Sequence, residues 1–276
     1  MDEKPVVVKA ADEKYIKAEE RKYLGAEVGS MFVGPTKILA GYDSIDVKLI
    51  APLSKEAYPE WVKAAMYSSL ATWDREPFNV ATKLLDAPFE EQEERLKGIL
   101  ADRRISAALE GITFNYKVIG VPRSFTAQYC RHRKAAFGEM SMRVASNYSE
   151  AVRVPQSLLN MPDGETRERL LGQYFDVVNS CKRLYRDMIE EGIPMEQARN
   201  ITPIGTLTKI GSCWNLASLI DYFGARTSDI AQDEHTLVTC LMAKELRDKQ
   251  PKFFNLITEL WLKKLPETMA KYGIKS

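Results

Sequence analysis

The chain has 276 residues, of which 45% are hydrophobic and 28% are charged, as in an ordinary soluble globular protein. Its formal net charge of +1 excludes a general polyanion binder, so any basic site must be a local one. No apolar run approaches the roughly 18 residues of a membrane helix, and the acidic N-terminus lacks the apolar stretch of a signal peptide. These features predict a cytoplasmic protein.

Cysteine and histidine usage limits the chemistry that the side chains could perform. The 4 cysteines are widely spaced and fit no zinc or redox motif, so we expect free thiols. The 2 histidines, His132 and His235, are too few for a multi-histidine site, and we expect no metal. Chemistry is therefore expected from a cofactor or from arginines.

The predicted elements favour an α/β (α+β) fold in one catalytic domain, residues 45–276, preceded by an N-terminal extension, residues 1–44. In chain order they are a strand at 45–50, helices at 58–73 and 89–100, a strand at 111–121, a helix opened by Pro122, a long helix at 166–189, a short helix at 198–199, a strand at 206–213, and helices at 214–225, 229–249 and 251–271.

The most informative segment is RHRKAAFGEMSMR, residues 131–143. Its arginines lie beside largely apolar residues, where a cation without an anionic partner is costly. Because guanidinium groups suit phosphate oxygens, the segment indicates a phosphate-bearing ligand. We expect the helix after Pro122 to carry Gln128 and Arg131 on one face.

This segment, with Gln128 three residues before the first arginine, resembles the signature of the flavin-dependent thymidylate synthases, the ThyX family. Three further stretches stand in that family's order. They are AAMYS at 64–68, ARNITP at 198–203, and NLASLIDYFGAR at 215–226 followed by AQDE at 231–234. The resemblance covers roughly residues 45 to 250.

The resemblance implies a central mixed sheet flanked by helices, assembled as a homotetramer with active sites shared between subunits. It also implies bound FAD, reduction by NADPH, and transfer of a one-carbon unit from methylenetetrahydrofolate to C5 of dUMP. Neither a nucleic acid nor a membrane is expected as a partner.

The family's functional positions can be carried over one at a time. The implied flavin contacts are Ser68, Arg131, His132, Arg133, Glu139, Asn215 and Asp221. The implied nucleotide contacts are Gln128, Arg131, Glu139, Met140, Ser141, Met142, Arg143, Arg199 and Arg226. Arg226 is the implied catalytic residue, which ionises or polarises the uracil ring. If one helix joins Asn215 to Arg226, the two lie about 16 Å apart along its axis.

Two of these side chains have other interpretations. Glu139 could be an internal partner of the arginines, a ligand contact, or both. Ser141 could be taken for a nucleophile, but ligand hydrogen bonding explains its hydroxyl better, because His132 is its one candidate base.

Several positions depart from the family pattern and keep alternative functions open. Val144 replaces an aromatic ring and suggests room for a 2′-hydroxyl, as in UMP/dUMP methylases of nucleoside-antibiotic pathways. An ordinary thymidylate synthase restricted to dUMP, or an enzyme that transfers hydroxymethyl, remains an alternative. The changes at Ile105, Ala107, Ala217 and Asp221 also allow a degenerate homologue that binds flavin or nucleotide without turnover.

Overall fold

The computed structural model describes residues 6–7, 37–39, 45–70, 86–102, 106–142, 151–228 and 230–274. Its strands are β1 (Val6–Val7), β2 (Lys37–Leu39), β3 (Asp46–Ala51), β4 (Thr113–Pro122), β5 (Ala135–Glu139), β6 (Ala151–Arg153) and β7 (Leu207–Asn215). Its helices are α1 (Ala57–Leu70), α2 (Phe89–Asp102), α3 (Ser106–Glu110), α4 (Arg123–Tyr129), α5 (Gln156–Leu159), α6 (Glu165–Glu190), α7 (Met195–Ala198), α8 (Leu216–Arg226), α9 (Asp233–Lys249), α10 (Pro251–Leu260) and α11 (Leu265–Lys271), with a 3-10 turn at Arg199–Ile201.

The strands form two sheets. One has the order β3-β4-β7-β5, and the other has the order β1-β2-β6 with both pairings parallel. Together with the helices they confirm the predicted α/β class. No helix in the described ranges has the length and apolarity that crossing a membrane requires.

The chain forms two compact units. The first consists of Met1–Asp46, Val118–Tyr129 and Gly138–Ile210, and the second of Val47–Lys117, Cys130–Phe137 and Gly211–Ser276. The prediction of an N-terminal extension before one catalytic domain remains a prediction, and most of residues 1–44 lie outside the described ranges.

Backbone hydrogen bonds organise the first unit around the segment before β7. The N–H groups of Arg123 and Ser124, at the start of α4, donate to the carbonyls of Thr206 and Ile204. The Arg153 N–H donates to the Gly205 carbonyl over 2.9 Å. A Cβ at Gly205 would lie 3.1 Å from the Tyr174 hydroxyl, so the close approach of α6 favours glycine there. These bonds position α4, which carries Gln128.

An aromatic cluster forms the core of the second unit. Phe253 of α10 lies at its centre, with ring centroids 4.8 Å from Tyr58, 5.2 Å from Trp61 and 5.1 Å from Phe114. The Trp61 indole donates to the Ala108 carbonyl over 2.9 Å, which satisfies the one polar group of that ring. The cluster joins α1, α10 and β4.

Two predicted helices differ from the structure. The helix opened by Pro122 ends at Tyr129, and the chain then turns, with the Ala135 N–H donating to the His132 carbonyl. Arg131 therefore lies in a turn and does not share a helical face with Gln128, so that expectation was wrong. The helix predicted at 251–271 is two helices, because Pro266 lacks an N–H and starts α11 within its first turn.

The remaining long elements agree with prediction more closely. The helix predicted at 166–189 is α6, and the strand predicted at 111–121 is β4. Trp214 lies within strand β7 and does not begin the following helix, because Asn215, the last residue of β7, caps α8 in an extended conformation. Residues 71–73, predicted as helix, and Asp229 lie outside the described ranges.

Candidate active site

A contact between Arg226 and His132 is the central feature of the candidate site. Arg226 ends α8, and His132 lies in the turn before β5, yet their Nη2 and Nε2 atoms are 3.1 Å apart. The Arg226 Nε is buried and has no hydrogen-bond partner among the described residues. A cation that merely complements a helix C-terminus is usually solvated, so this burial indicates a different role.

Hydrogen-bond chemistry determines the state of the His132 ring. A guanidinium group carries donors only, so His132 Nε2 must accept, and the proton of the neutral ring must lie on Nδ1. Burial lowers the pKa of His132, and the neighbouring Arg226 lowers it further, while Asp221 opposes the shift. Protonation would replace the acceptor with a second cation beside Arg226. The pair is therefore arranged around a neutral imidazole.

Aromatic rings surround this pair. The His132 ring meets Tyr222 edge to face at 4.9 Å between centroids and lies 5.9 Å from Trp214. His235, which is fully buried, has its pKa lowered to about 3 by burial, then by Arg226 and His132. Both histidines of the chain are thus neutral in the folded state at neutral pH.

Two exposed guanidinium groups flank His132. Arg131 and Arg133 are exposed, and among the described residues neither forms an ion pair with a carboxylate. The turn that carries them is attached to α8, because the Ser218 hydroxyl donates to the Lys134 carbonyl over 3.1 Å. Lys134 and the predicted flavin contact Asp221 approach to 3.8 Å at the surface. The arrangement leaves two fixed cations available to an anion.

Asn215 caps the same helix. Its Oδ1 accepts from the Ser218 N–H over 2.8 Å, and the Ser218 hydroxyl shares its one proton between this oxygen, 2.6 Å away, and the Lys134 carbonyl, 3.1 Å away. The carboxamide oxygen is therefore committed to the N-cap, and its NH₂ group is the donor that a ligand could use. Helix α8 joins Asn215 to Arg226 as predicted, with the first residue serving as the cap.

Glu139 forms an ion pair within the protein, which was one of the interpretations offered by the sequence. Its partner is Arg123 and not an arginine of the signature segment. The two side chains pair over 2.9 Å, and Thr126 donates to the other carboxylate oxygen over 2.9 Å. Arg123 also donates to the carbonyl of Met140 over 2.8 Å. The sequence analysis missed Arg123, although its position at the start of the helix opened by Pro122 could have suggested it.

The other predicted contacts are divided between the units. The first unit contains Gln128, Glu139, Met140, Ser141, Met142 and Arg199, and the second contains Ser68, Arg131, His132, Arg133, Asn215, Asp221 and Arg226. Gln128 is half-buried, Ser141 is exposed and Met142 is buried. Arg199 donates through Nε to the Glu196 carbonyl over 3.1 Å, as a helix-end cation does. Arg143, Val144 and Ile105 lie outside the described ranges.

Comparison with known proteins identifies the class of this fold and site. The model of the Thy1 family, described as thymidylate synthase complementing protein, matches residues 49–252, and the chain belongs to that family. The resemblance drawn from the signature is thereby confirmed.

Particular relatives are flavin-dependent thymidylate synthases. That of Pyrococcus furiosus is 30% identical over 187 residues, covering 66% of this chain and 71% of the relative. That of Thermotoga neapolitana is 29% identical over 165 residues, covering 59% and 74%. That of Geobacter sulfurreducens is 27% identical over 149 residues, covering 54% and 62%, so less than two thirds of that relative is matched.

Two crystal structures of a UMP/dUMP methylase, PolB from Streptomyces cacaoi, share the fold. The complex with 5-Br dUMP has a TM-score of 0.61 at 16% identity and covers 78% of this chain and 95% of PolB. The complex with 5-Br UMP has a TM-score of 0.60 at 19% identity and covers 81% and 96%. At these identities the likeness establishes the fold alone.

Proposed function

We propose that this chain is a flavin-dependent enzyme that methylates C5 of a uridine 5′-monophosphate and accepts both dUMP and UMP. Methylenetetrahydrofolate would donate the carbon, and NADPH would be the reductant. Membership of the Thy1 family and the names of its flavin-dependent relatives support the reaction class. The observation that carries the proposal is the Arg226 guanidinium, held by a neutral His132 with its Nε buried.

The residues around the turn before β5 fit a flavin dinucleotide. Arg131 and Arg133 are exposed and have no carboxylate partner among the described residues, and guanidinium forks match the oxygens of a pyrophosphate. Ser68, His132, Glu139 and the Asn215 amide complete the proposed flavin contacts, with Asp221 at the edge, where its carboxylate suits a ribose hydroxyl better than a phosphate. Bound FAD, once reduced, would supply the hydride that completes the methyl group.

Arg226 would activate the pyrimidine. A guanidinium beside N3 and O4 of uracil stabilises the enolate-like charge that makes C5 nucleophilic, and a fixed donor in a dry setting does so most effectively. The contact to His132 Nε2 holds the planar group in one orientation without neutralising its charge. No protein nucleophile is required by this arrangement.

The proposed nucleotide contacts belong to the signature and to the 3-10 turn. Gln128 and the exposed Ser141 would donate hydrogen bonds to the ring and phosphate, and Arg143 and Arg199 would bind the phosphate as cations. Arg131, Glu139, Met140 and Met142 would complete the contacts. The backbone of Met140 is already hydrogen-bonded, to Lys209 and Arg123, so its contact would be an apolar one.

Acceptance of UMP rests on the sequence and on the neighbour's substrate. Val144 stands where the family has an aromatic ring, and a smaller side chain leaves space for a 2′-hydroxyl. The structural neighbour PolB is described as a UMP/dUMP methylase and was solved with analogues of both nucleotides. A homotetramer with shared active sites, and a role in a nucleoside-antibiotic pathway, remain part of the proposal.

Mass spectrometry of the product tests the proposal directly. Purified protein would be incubated with FAD, NADPH, methylenetetrahydrofolate and either dUMP or UMP, and we expect the mass of one CH₂ to be added to both. A gain on dUMP alone would contradict the broadened specificity, and an additional oxygen would indicate hydroxymethylation. Bound flavin with no product from either nucleotide would favour the degenerate binding homologue.

A matched pair of variants assigns the activity to the site. Arg226→Lys keeps the charge but loses the planar fork, and we expect at least a 10-fold loss of turnover, since electrostatic donors of this kind contribute about 10² to 10³. Arg247→Lys makes the same change at a surface ion pair with Asp248 and should leave turnover unchanged. Equal activities of the two variants would remove Arg226 from the mechanism.

A further inference from the structure

The α11 segment, residues 262–274, lies beyond the part of the chain that the Thy1 family model matches, which ends at residue 252. It is nevertheless packed against the second unit. Leu265 and Met269 are each 1% exposed. The Leu262 Cδ2 lies 3.6 Å from the position that a Cβ at Gly224 would occupy, so the segment contacts α8 close to its C-terminal end. A stretch outside the family match therefore reaches the helix that carries the candidate site.

A Schellman motif fixes the end of the α11 segment. The Ile274 N–H donates to the Met269 carbonyl over 3.0 Å, and the Gly273 N–H donates to the Ala270 carbonyl over 3.0 Å. These are the two backbone bonds that define the motif. Gly273 has a φ of 73°, the left-handed conformation that the residue after a C-cap adopts and that glycine takes without steric cost. The C-cap residue, Tyr272, therefore leaves α11 in a defined position.

The Tyr272 hydroxyl lies against the first turn of α9. It donates to the Asp233 carboxylate over 3.3 Å. Burial raises the pKa of Tyr272 and Asp233 raises it further, so the hydroxyl keeps its proton at neutral pH. Thr236 is close enough to the same hydroxyl to oppose that shift. Asp233 and Thr236 are three residues apart and share one face of α9, so the tyrosine lies beside both.

Thr236 connects this contact to Arg226. Thr236 is buried, and its hydroxyl donates to the Arg226 carbonyl over 2.9 Å, the shorter of its two contacts with backbone carbonyls. The backbone of Arg226 is thus held from α9, while its guanidinium contacts His132 in the turn before β5. A displacement of the first turn of α9 would therefore move Arg226 relative to His132.

We propose that Tyr272 is a positioning residue for Arg226, acting through Asp233 and Thr236 in the first turn of α9. The α11 segment supports both helices whose ends meet at Arg226, because it contacts α8 through Leu262 and α9 through Tyr272. Support of this kind keeps a functional group in one geometry. The effect on turnover rests on the proposed function, since it requires Arg226 to act on the pyrimidine. The effect on the contact with His132 depends on no reaction.

Steady-state kinetics test the role in turnover. Tyr272→Phe removes the hydroxyl and keeps the ring, and turnover should fall about 3- to 10-fold, because a misplaced guanidinium stabilises the transition state less well. The KM for dUMP and the amount of bound flavin should not change. Tyr58→Phe is the matched control, since its hydroxyl also donates to a carboxylate, that of Glu93 on α2, over 3.0 Å, and it should keep full turnover. Equal turnover of Tyr272→Phe and wild type would overturn the proposal.

Variants of Thr236 test the connection itself. Thr236→Val removes the donor to the Arg226 carbonyl and should lower turnover at least as much as Tyr272→Phe does. Thr236→Ser keeps the hydroxyl and should restore most of the turnover. Combining Tyr272→Phe with Thr236→Val should give an enzyme no slower than Thr236→Val alone, because the two residues act on Arg226 in series. Losses that multiply would show that Tyr272 acts elsewhere, which contradicts the proposal.

The pKa of His132 tests the positioning without any reaction. Burial and the neighbouring Arg226 lower this pKa, and Asp221 opposes the shift. Displacement of Arg226 removes its share, so an NMR titration should give a higher His132 pKa in Tyr272→Phe and in Thr236→Val, and no change in the control. An unchanged pKa would overturn the proposal even if turnover fell. If the wild type methylated neither nucleotide, the proposed function would fail, and this titration would still decide the role of Tyr272.

Discussion

At the scale of single residues, the candidate site is organised by groups that can only donate and groups that can only accept. The Arg226 side chain carries hydrogen-bond donors only, so His132 Nε2 must be the acceptor in their contact. The His132 ring is therefore neutral, with its proton on Nδ1. Arg123 likewise satisfies the Glu139 carboxylate and the Met140 carbonyl together. Such assignments follow from chemistry once two atoms are known to be adjacent, but the motif RHR alone could not supply that adjacency.

The state of His132 can be measured without any ligand. Long-range ¹H–¹⁵N NMR should show the Nδ1–H tautomer for His132 at pH 7 and a pKa below 6.5, because burial and Arg226 both oppose protonation. The chain has 2 histidines, so His132→Gln and His235→Gln would assign both signals. A ring protonated on Nε2 would be incompatible with the contact to Arg226.

Removal of the acceptor should impair the proposed reaction by misplacing Arg226. His132→Ala should lower turnover about 10- to 100-fold when corrected for bound flavin, with a smaller change in dUMP affinity. His132→Gln, whose carbonyl can accept, should recover part of the loss. Loss of flavin alone, with normal turnover per bound flavin, would make His132 a cofactor contact and not a positioning residue.

At the scale of elements, α8 carries the candidate site because its two ends are fixed differently. Asn215 and Ser218 close the first turn, and the same Ser218 hydroxyl attaches the turn before β5 through Lys134. At the other end, the Thr236 hydroxyl donates to the Arg226 carbonyl over 2.9 Å. The capped end of α8 therefore fixes the turn that carries Arg131 and Arg133, and the other end of the helix fixes Arg226.

Loss of the cap should be measurable as stability. Asn215→Ala should lower the free energy of unfolding by about 1 kcal/mol, because the Ser218 N–H loses its acceptor. Asn215→Asp keeps an acceptor oxygen and should cost less. Urea denaturation of both variants distinguishes them, and equal stability of Asn215→Ala and wild type would show that the cap is not needed.

At the scale of the whole molecule, the fully buried His235 and the half-buried His132 make stability depend on pH. The pKa of His235 is lowered to about 3 in the folded state and is near 6.5 in the unfolded chain. Between pH 6.5 and pH 3 the unfolded chain therefore binds more protons than the folded protein does. Stability from this group is complete above pH 6.5 and falls as the pH decreases. Burial acts to raise the pKa of Glu245, but hydrogen bonds from Lys249 and from the Leu49 N–H lower it overall. This carboxylate therefore adds a further loss of stability only below about pH 4.5.

Equilibrium unfolding between pH 6.5 and pH 5 isolates the histidine contribution. The free energy of unfolding should fall with a slope that approaches about 1.4 kcal/mol per pH unit for His235, with a smaller addition from His132. His235→Gln, which does not titrate, should remove that part of the slope whatever its effect on absolute stability. An unchanged slope would mean that His235 is not buried in its neutral form.

The sequence by itself determined the features that depend on near neighbours along the chain. The amphipathic period of α6, the strand β4 and the spacing of the RHR signature all involve residues within a few turns or strand steps of one another, so local propensity and pattern specify them. The same logic misplaced Arg131 on a helix, because the point at which α4 turns away depends on contacts made later in the chain.

Only the tertiary structure decided which distant groups meet. His132 and Arg226 are 94 residues apart, and the Leu49 N–H that Glu245 accepts is 196 residues away. The sequence left Glu139 open as a partner of an arginine, a ligand contact or both, and it could not select Arg123, since several cations of equal chemistry lie nearby. Pairing of this kind is determined by the path of the backbone through the fold, and no local pattern encodes that path.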